Sequence, residues 1–110
     1  MKGFTDLDQS RKLEEILPIE SADMVWANDN DVIVVPSEVV ARENVLHDFV
    51  PCWSLVALMD VLDRGALFKT PKGWACQTYV EYKAINSNYH SNPVDACVEM
   101  ILELHKQKDK

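Results

Sequence analysis

Two proline-marked junctions constrain this chain more than any other feature. One reads Pro51-Cys52-Trp53-Ser54-Leu55-Val56-Ala57-Leu58, the other Ser91-Asn92-Pro93-Val94-Asp95-Ala96-Cys97-Val98. Each sets a stop, then a capping residue, then an amphipathic run. In the first, Ser54 caps a helix, and Trp53 just before it meets Leu58 at the fourth helical position, the pairing of a hydrophobic staple. That helix is expected to reach about Asp63, with Leu55, Leu58, Met59 and Leu62 on one face. Val56, Ala57 and Val61 add apolar area on other sides, which predicts a central place in the fold. Arg64-Gly65 closes it, with the glycine free to take a positive φ. In the second junction Asn92 caps, Pro93 takes the first helical position where its missing N–H costs nothing, and Asp95 sits at the third. Val94, Cys97, Val98, Ile101 and Leu104 repeat at three and four residues, which predicts a helix from Pro93 to about Lys106.

The remaining elements follow from weaker signals. Thr5–Leu17 reads as a helix capped by Thr5, with Asp8 in its first turn, and Pro18 stops it. Asp23–Asp29 and Asp31–Val35 are rich in β-branched and aromatic residues and read as a hairpin turning at 28–31. Residues 36–50 are unassigned: Glu38–Arg42 fits a helical turn or more sheet, and Asn44–Phe49 fits a loop. Leu67–Lys69 and Trp74–Lys83 read as a second hairpin, turning at Thr70-Pro71-Lys72-Gly73. In its long strand Trp74, Cys76, Thr78, Val80 and Tyr82 are expected to face the core, and Ala75, Gln77, Tyr79, Glu81 and Lys83 solvent. Ile85–Ser91 reads as polar loop. The order is α-β-β-α-β-β-α. This predicts a single α+β domain over residues 1–110, an antiparallel sheet of about four strands with three helices on one face.

The formal charge of −7 is carried by the first half: residues 1–55 hold eleven acids against four bases, and Glu20–Asp48 holds seven against Arg42 alone. Such a surface repels phosphate backbones and anionic lipid, which argues against direct nucleic-acid or membrane binding. It suits a basic protein partner, and an acidic inhibitor or nucleic-acid mimic is the alternative. No apolar run is long enough for a membrane span, and Asp6, Asp8 and Gln9 stand where a signal peptide would be apolar; a cytoplasmic protein is expected. Three cysteines, Cys52, Cys76 and Cys97, show neither CxxC nor metal-ligand spacing and read as free buried thiols. Asn28-Asp29-Asn30-Asp31 has calcium-ligand chemistry but lacks the glycine and distant glutamate of such a loop. Gly3, Gly65 and Gly73 are isolated, so no phosphate-cradling loop forms. Neither metal nor cofactor is expected.

One catalytic arrangement is open to these residues. Cys52 precedes helical N–H groups that lower a thiol pKa, and with His47 or His90 beside it would act as a nucleophile, the chemistry of a small hydrolase. No spacing ties either histidine to it. The carboxylate pairs Asp60/Asp63 and Glu99/Glu103 read as solvated helix faces, and His105 as a last-turn surface residue. The segments Pro51–Leu62 and Asn92–Leu104, with Leu17-Pro18 and Ala22-Asp23-Met24, resemble a group of small proteins from gut Bacteroidetes and their phages or mobile elements. The resemblance rests on Pro51, Trp53, Ser54 and Leu55, and on Asn92, Pro93, Asp95 and Ala96. It implies a bacterial or phage setting and transfers no catalytic residue. The reading is therefore a non-enzymatic accessory or protein-binding domain, with Trp26, Asp29, Asp31, Glu38, Glu43, Tyr79 and Tyr89 as contact residues. Trp26, Tyr79 and Tyr89 also suit a homodimer interface.

Overall fold

The computed structural model describes residues 2–26, 32–34 and 50–108. Within them the chain runs α1 (Leu7–Glu14), a 3₁₀ turn (Ile19–Ser21), β1 (Met24–Trp26), β2 (Val32–Val34), β3 (Val50–Cys52), α2 (Leu55–Val61), β4 (Ala66–Thr70), β5 (Gly73–Val80), β6 (Lys83–Asn86) and α3 (Pro93–Lys108). The α+β class holds, but the single sheet of four strands does not. Two antiparallel sheets form instead, in the orders β2-β1-β3 and β4-β5-β6. Each expected hairpin has gained a third strand. In the first sheet Val25 pairs with Ile33 on one side and with Pro51 on the other. Pro51 is thus strand rather than loop, and it is buried. A proline is tolerated there because β3 is an outer strand of its ladder. Beyond β3 runs the N-terminal segment: Thr5 N–H donates to Trp53 O at 2.9 Å, and Leu55 N–H donates to Gly3 O at 3.2 Å.

That docking changes the start of α1. Asp6, not Thr5, is the cap: its carboxylate accepts from Gln9 N–H at 2.8 Å, and the Gln9 side chain accepts from Asp6 N–H at 3.1 Å, a reciprocal capping box. Thr5 is fully buried, its hydroxyl 2.7 Å from that of Ser10 and accepting the Trp53 N–H at 3.1 Å. The other two caps are as expected. Ser54 Oγ accepts from Ala57 N–H at 3.2 Å. Asn92 Oδ1 accepts from Asp95 N–H at 2.9 Å.

The core joins α1, α2, α3 and the inner face of the second sheet. Leu13, Trp53, Leu58, Cys76, Val94, Cys97 and Met100 are its most enclosed members. The stapled pair Trp53 and Leu58 is completely buried. α2 is less central than its composition implies: Val56 is 78% exposed, so the helix buries one side only. Gly65 does not take a positive φ. A Cβ there would lie 2.8 Å from Leu62 Cβ, so close approach is what the position requires.

The second sheet corrects the expected face pattern at Ala75, expected to face solvent and buried instead, and at the end of the long strand. Cys76 and Thr78 are buried and Trp74 and Val80 half-buried, but Tyr82 is fully exposed. The chain turns at Glu81-Tyr82, and Lys83–Asn86, expected to be strand end and loop, return as β6 with Val80 opposite Lys83. At the other end of β5, Gly73 has φ +125°, and Trp74 exchanges backbone hydrogen bonds with His90 at 2.7 and 2.8 Å. A Cβ on Gly73 would stand 2.5 Å from the His90 carbonyl oxygen. Gly73→Ala is therefore expected to cost about 3 kcal/mol, from backbone strain and a clash that neither strand can relieve. Gly3→Ala, with nothing within 4 Å of its Cβ, is expected to stay within about 0.5 kcal/mol of the parent. Urea denaturation of the two variants checks the contrast.

Candidate protein-contact surface

A two-residue hairpin loop twists with its strands when both central residues adopt positive φ, which is why Asn-Gly is the usual choice. Here Glu81 (φ 50°) and Tyr82 (φ 72°) take those places. A side chain in this region costs roughly 1–2 kcal/mol per residue. The strained pair holds the Tyr82 ring wholly in solvent at the tip. Tyr79, three residues earlier, is 54% exposed. With Arg64, from the turn after α2, these residues line a depression of about 480 Å³. Arg64 and Tyr79 also border a second one, of about 400 Å³, floored by Val61, Leu62, Val80 and Leu104. Val61, Leu62 and Leu104 in turn line a third of about 130 Å³, with Ile16, Leu17 and His105. The shared walls make one groove from the hairpin tip to the end of α1. Ile16, Leu17, Val61, Leu62, Val80 and Leu104 line it, its rim carries two tyrosines, the Arg64 guanidinium and the carboxylates of Glu81 and Asp63, and tyrosine and arginine dominate the energetics of protein contacts.

The expected contact residues fare differently. Tyr79 lies on the groove. Tyr89, half-exposed, lies near the opposite end of β5 beneath the Lys72 ammonium, 6.0 Å from the ring centre. Trp26 is half-buried, edge-on to Phe4 with ring centres 6.0 Å apart, and its buried Nε1 has no partner among the described residues. Asp29, Asp31, Glu38 and Glu43 lie outside the described residues, as does the 28–31 turn. Tyr82 and Arg64 are the residues that sequence reasoning missed. No glycine or asparagine marks the 81–82 turn, so nothing in the sequence places Tyr82 at a tip.

The catalytic arrangement finds no support. Cys52 is fully buried, its thiol donating to Thr5 O at 3.4 Å. Burial pushes that thiol up rather than down, against the expected activation. His90 is bound instead to Glu99, Nε2 to Oε1 at 2.8 Å, and His47 lies outside the described residues. Cys52, Cys76 and Cys97 are all free and buried. Among the described residues no group of three or more His, Cys, Asp or Glu is placed to hold a metal, and no helix is long and apolar enough to cross a membrane.

Glu99 is more than a solvated helix acid. It accepts from Asn88 N–H at 2.9 Å and Asn88 Nδ2 at 3.2 Å as well as meeting His90. Burial works to raise its carboxyl, but these donors outweigh it and hold the group below its ordinary value. Asp95 behaves alike, held down against burial by Lys2, Gln9 and Asn92. Asp6 is likewise held down by Gln9 N–H and Lys2. Carboxyls with lowered folded pKa stabilise the fold above their unfolded value, and that contribution is lost as pH falls through the folded value. Melting temperature is thus expected to fall on acidification below about pH 4–5. Glu99→Gln is expected to lower it at neutral pH and to flatten its decline with acid, read by circular dichroism across pH.

The turn gives a second expectation. Replacing Glu81 by Asn together with Tyr82 by Gly relieves both strained residues and is expected to stabilise the fold by about 1 kcal/mol in urea denaturation. No family model matches the chain, and no curated protein or solved structure matches it.

Proposed function

We propose that this chain is a protein-binding module whose contact site is the groove rimmed by Tyr79, Tyr82 and Arg64. The observation that carries the reading is Tyr82: a fully exposed aromatic held at the tip of a hairpin by two non-glycine residues at positive φ. Backbone strain that a better turn sequence would remove is a mark of function. The groove adds apolar side chains to receive a partner's, with the Arg64 guanidinium beside the carboxylates of Glu81 and Asp63 to orient it. The formal charge of −7 and its concentration in the first half favour a protein partner over a nucleic acid. In the bacterial or phage setting implied by the resemblance, that partner is a host or phage protein.

Selection of displayed random peptides against the intact chain tests this. Peptides that bind are expected to lose about tenfold or more in affinity on Tyr82→Ala or Arg64→Ala, with unchanged melting temperature because both side chains are exposed. The stabilising replacement of Glu81 by Asn and Tyr82 by Gly is expected to lose binding too, which separates function from fold. Peptides bound equally by all these variants would show that the groove is not the site.

A further inference from the structure

Two cysteines meet inside the core. Cys76 lies on β5, the central strand of the second sheet, and Cys97 on α3, the helix packed against it. Both are completely buried, and their thiols are hydrogen-bonded to each other. Cys97 Sγ also donates to Met59 Sδ, on α2, at 3.6 Å. Cysteines whose side chains point apart cannot be bridged without moving the backbone. These two converge, brought together by the packing of a helix on a strand. Cys52 stands apart from them on β3, accepting from the Thr5 hydroxyl at 3.5 Å and donating to the Thr5 carbonyl at 3.4 Å.

We infer that Cys76 and Cys97 form a dithiol that hydrogen peroxide converts into a disulfide, a reversible staple between β5 and α3. The two sulfurs take different parts. The Cys97 S–H held against Cys76 lowers the Cys76 thiol and outweighs its burial. The same contact, together with burial, pushes the Cys97 thiol up. Cys76 is thus the sulfur that ionises first, and a thiolate is what attacks peroxide. Its attack on one peroxide oxygen breaks the O–O bond. That leaves a sulfenic acid on Cys76 and a hydroxide, which becomes water with the proton Cys76 released. Cys97 sulfur then attacks Cys76 sulfur, the S–O bond breaks, and the second oxygen leaves as water with the Cys97 proton. The two thiols give up two electrons, and one peroxide is reduced to two waters. Cys52 has no thiol partner among the described residues, and burial pushes its own thiol up, so it stays reduced. Because neither core sulfur is exposed, peroxide reaches them only when the contact between α3 and β5 opens, and the conversion is slow.

The inference does not rest on the groove reading. Its test exposes the intact chain to hydrogen peroxide without denaturant, then quenches in acid, unfolds and alkylates. One alkyl group is expected in place of three, with a peptide map that joins Cys76 to Cys97 and finds the label on Cys52. Dithiothreitol is expected to restore all three labels. The bond closes a loop of about 20 residues in the unfolded chain, so the urea midpoint of the oxidised chain is expected to rise by about 1 M. Cys52→Ser is expected to form the bond at the parent rate. Three labels after prolonged exposure, sulfinic acid in place of the bridge, a bridge that includes Cys52 or joins two chains, a bridge that forms only in urea, or an oxidised chain with no rise in midpoint would each overturn the proposal.

Discussion

The rest of the described structure depends on how Trp53 is enclosed. Its side chain is completely buried beside Leu58, and its Nε1 donates to Ser21 Oγ at 2.9 Å. Its backbone is bracketed by one residue: Thr5 N–H donates to its carbonyl and Thr5 Oγ1 accepts its N–H. One tryptophan thus joins the N-terminal segment, the 3₁₀ turn, the end of β3 and the start of α2. Asp23 completes the joint by accepting both the backbone N–H and the hydroxyl of Ser54. A buried indole whose polar atom is satisfied contributes several kcal/mol, and here it ties those segments into one core.

A second joint holds the other sheet. Gly73 lets the His90 backbone lie against β5, His90 reaches Glu99 on α3, and Glu99 gathers Asn88. One end of the β4-β5-β6 sheet is therefore locked to the helix beneath it. Among the described residues the 81–82 end has no such tie, and it carries its strained turn into solvent. Strain at a free tip persists because the paired strands behind it hold the two-residue spacing between Val80 and Lys83. For the binding role proposed above, a platform held in this way would leave little ordering entropy to be lost on contact.

How far the sequence discloses this depends on how local each cause is. Ser54, Asn92, Trp53 with Leu58, and the apolar repeat of α3 are legible because capping and helical periodicity act within a few residues. Thr5 misleads because the competing cap Asp6 is one residue away and Thr5 is claimed by Trp53, 48 positions later in the chain. β3 is hidden by Pro51, which reads as a breaker unless its outer position is known. Tyr82 is hidden for a related reason: alternation assigns it to the core, and only the turn at Glu81-Tyr82, unmarked by glycine, moves it out. The exposure of Tyr79 was legible because alternation places it on the outer face of β5. The groove itself was not, since it assembles the ends of α1, α2, α3 and β5.

Electrostatics explains why α1 and α3 begin side by side. Two helix N-termini brought together oppose the positive ends of their dipoles. Asp6 caps one and Asp95 lies in the first turn of the other, and Lys2 sits between them, 3.0 Å from Asp6 and 2.8 Å from Asp95. Gln9 bridges the same group, accepting from Lys2 at 2.7 Å and donating to Asp95 at 2.8 Å. The acids satisfy the dipoles, and the lysine removes the repulsion between the acids.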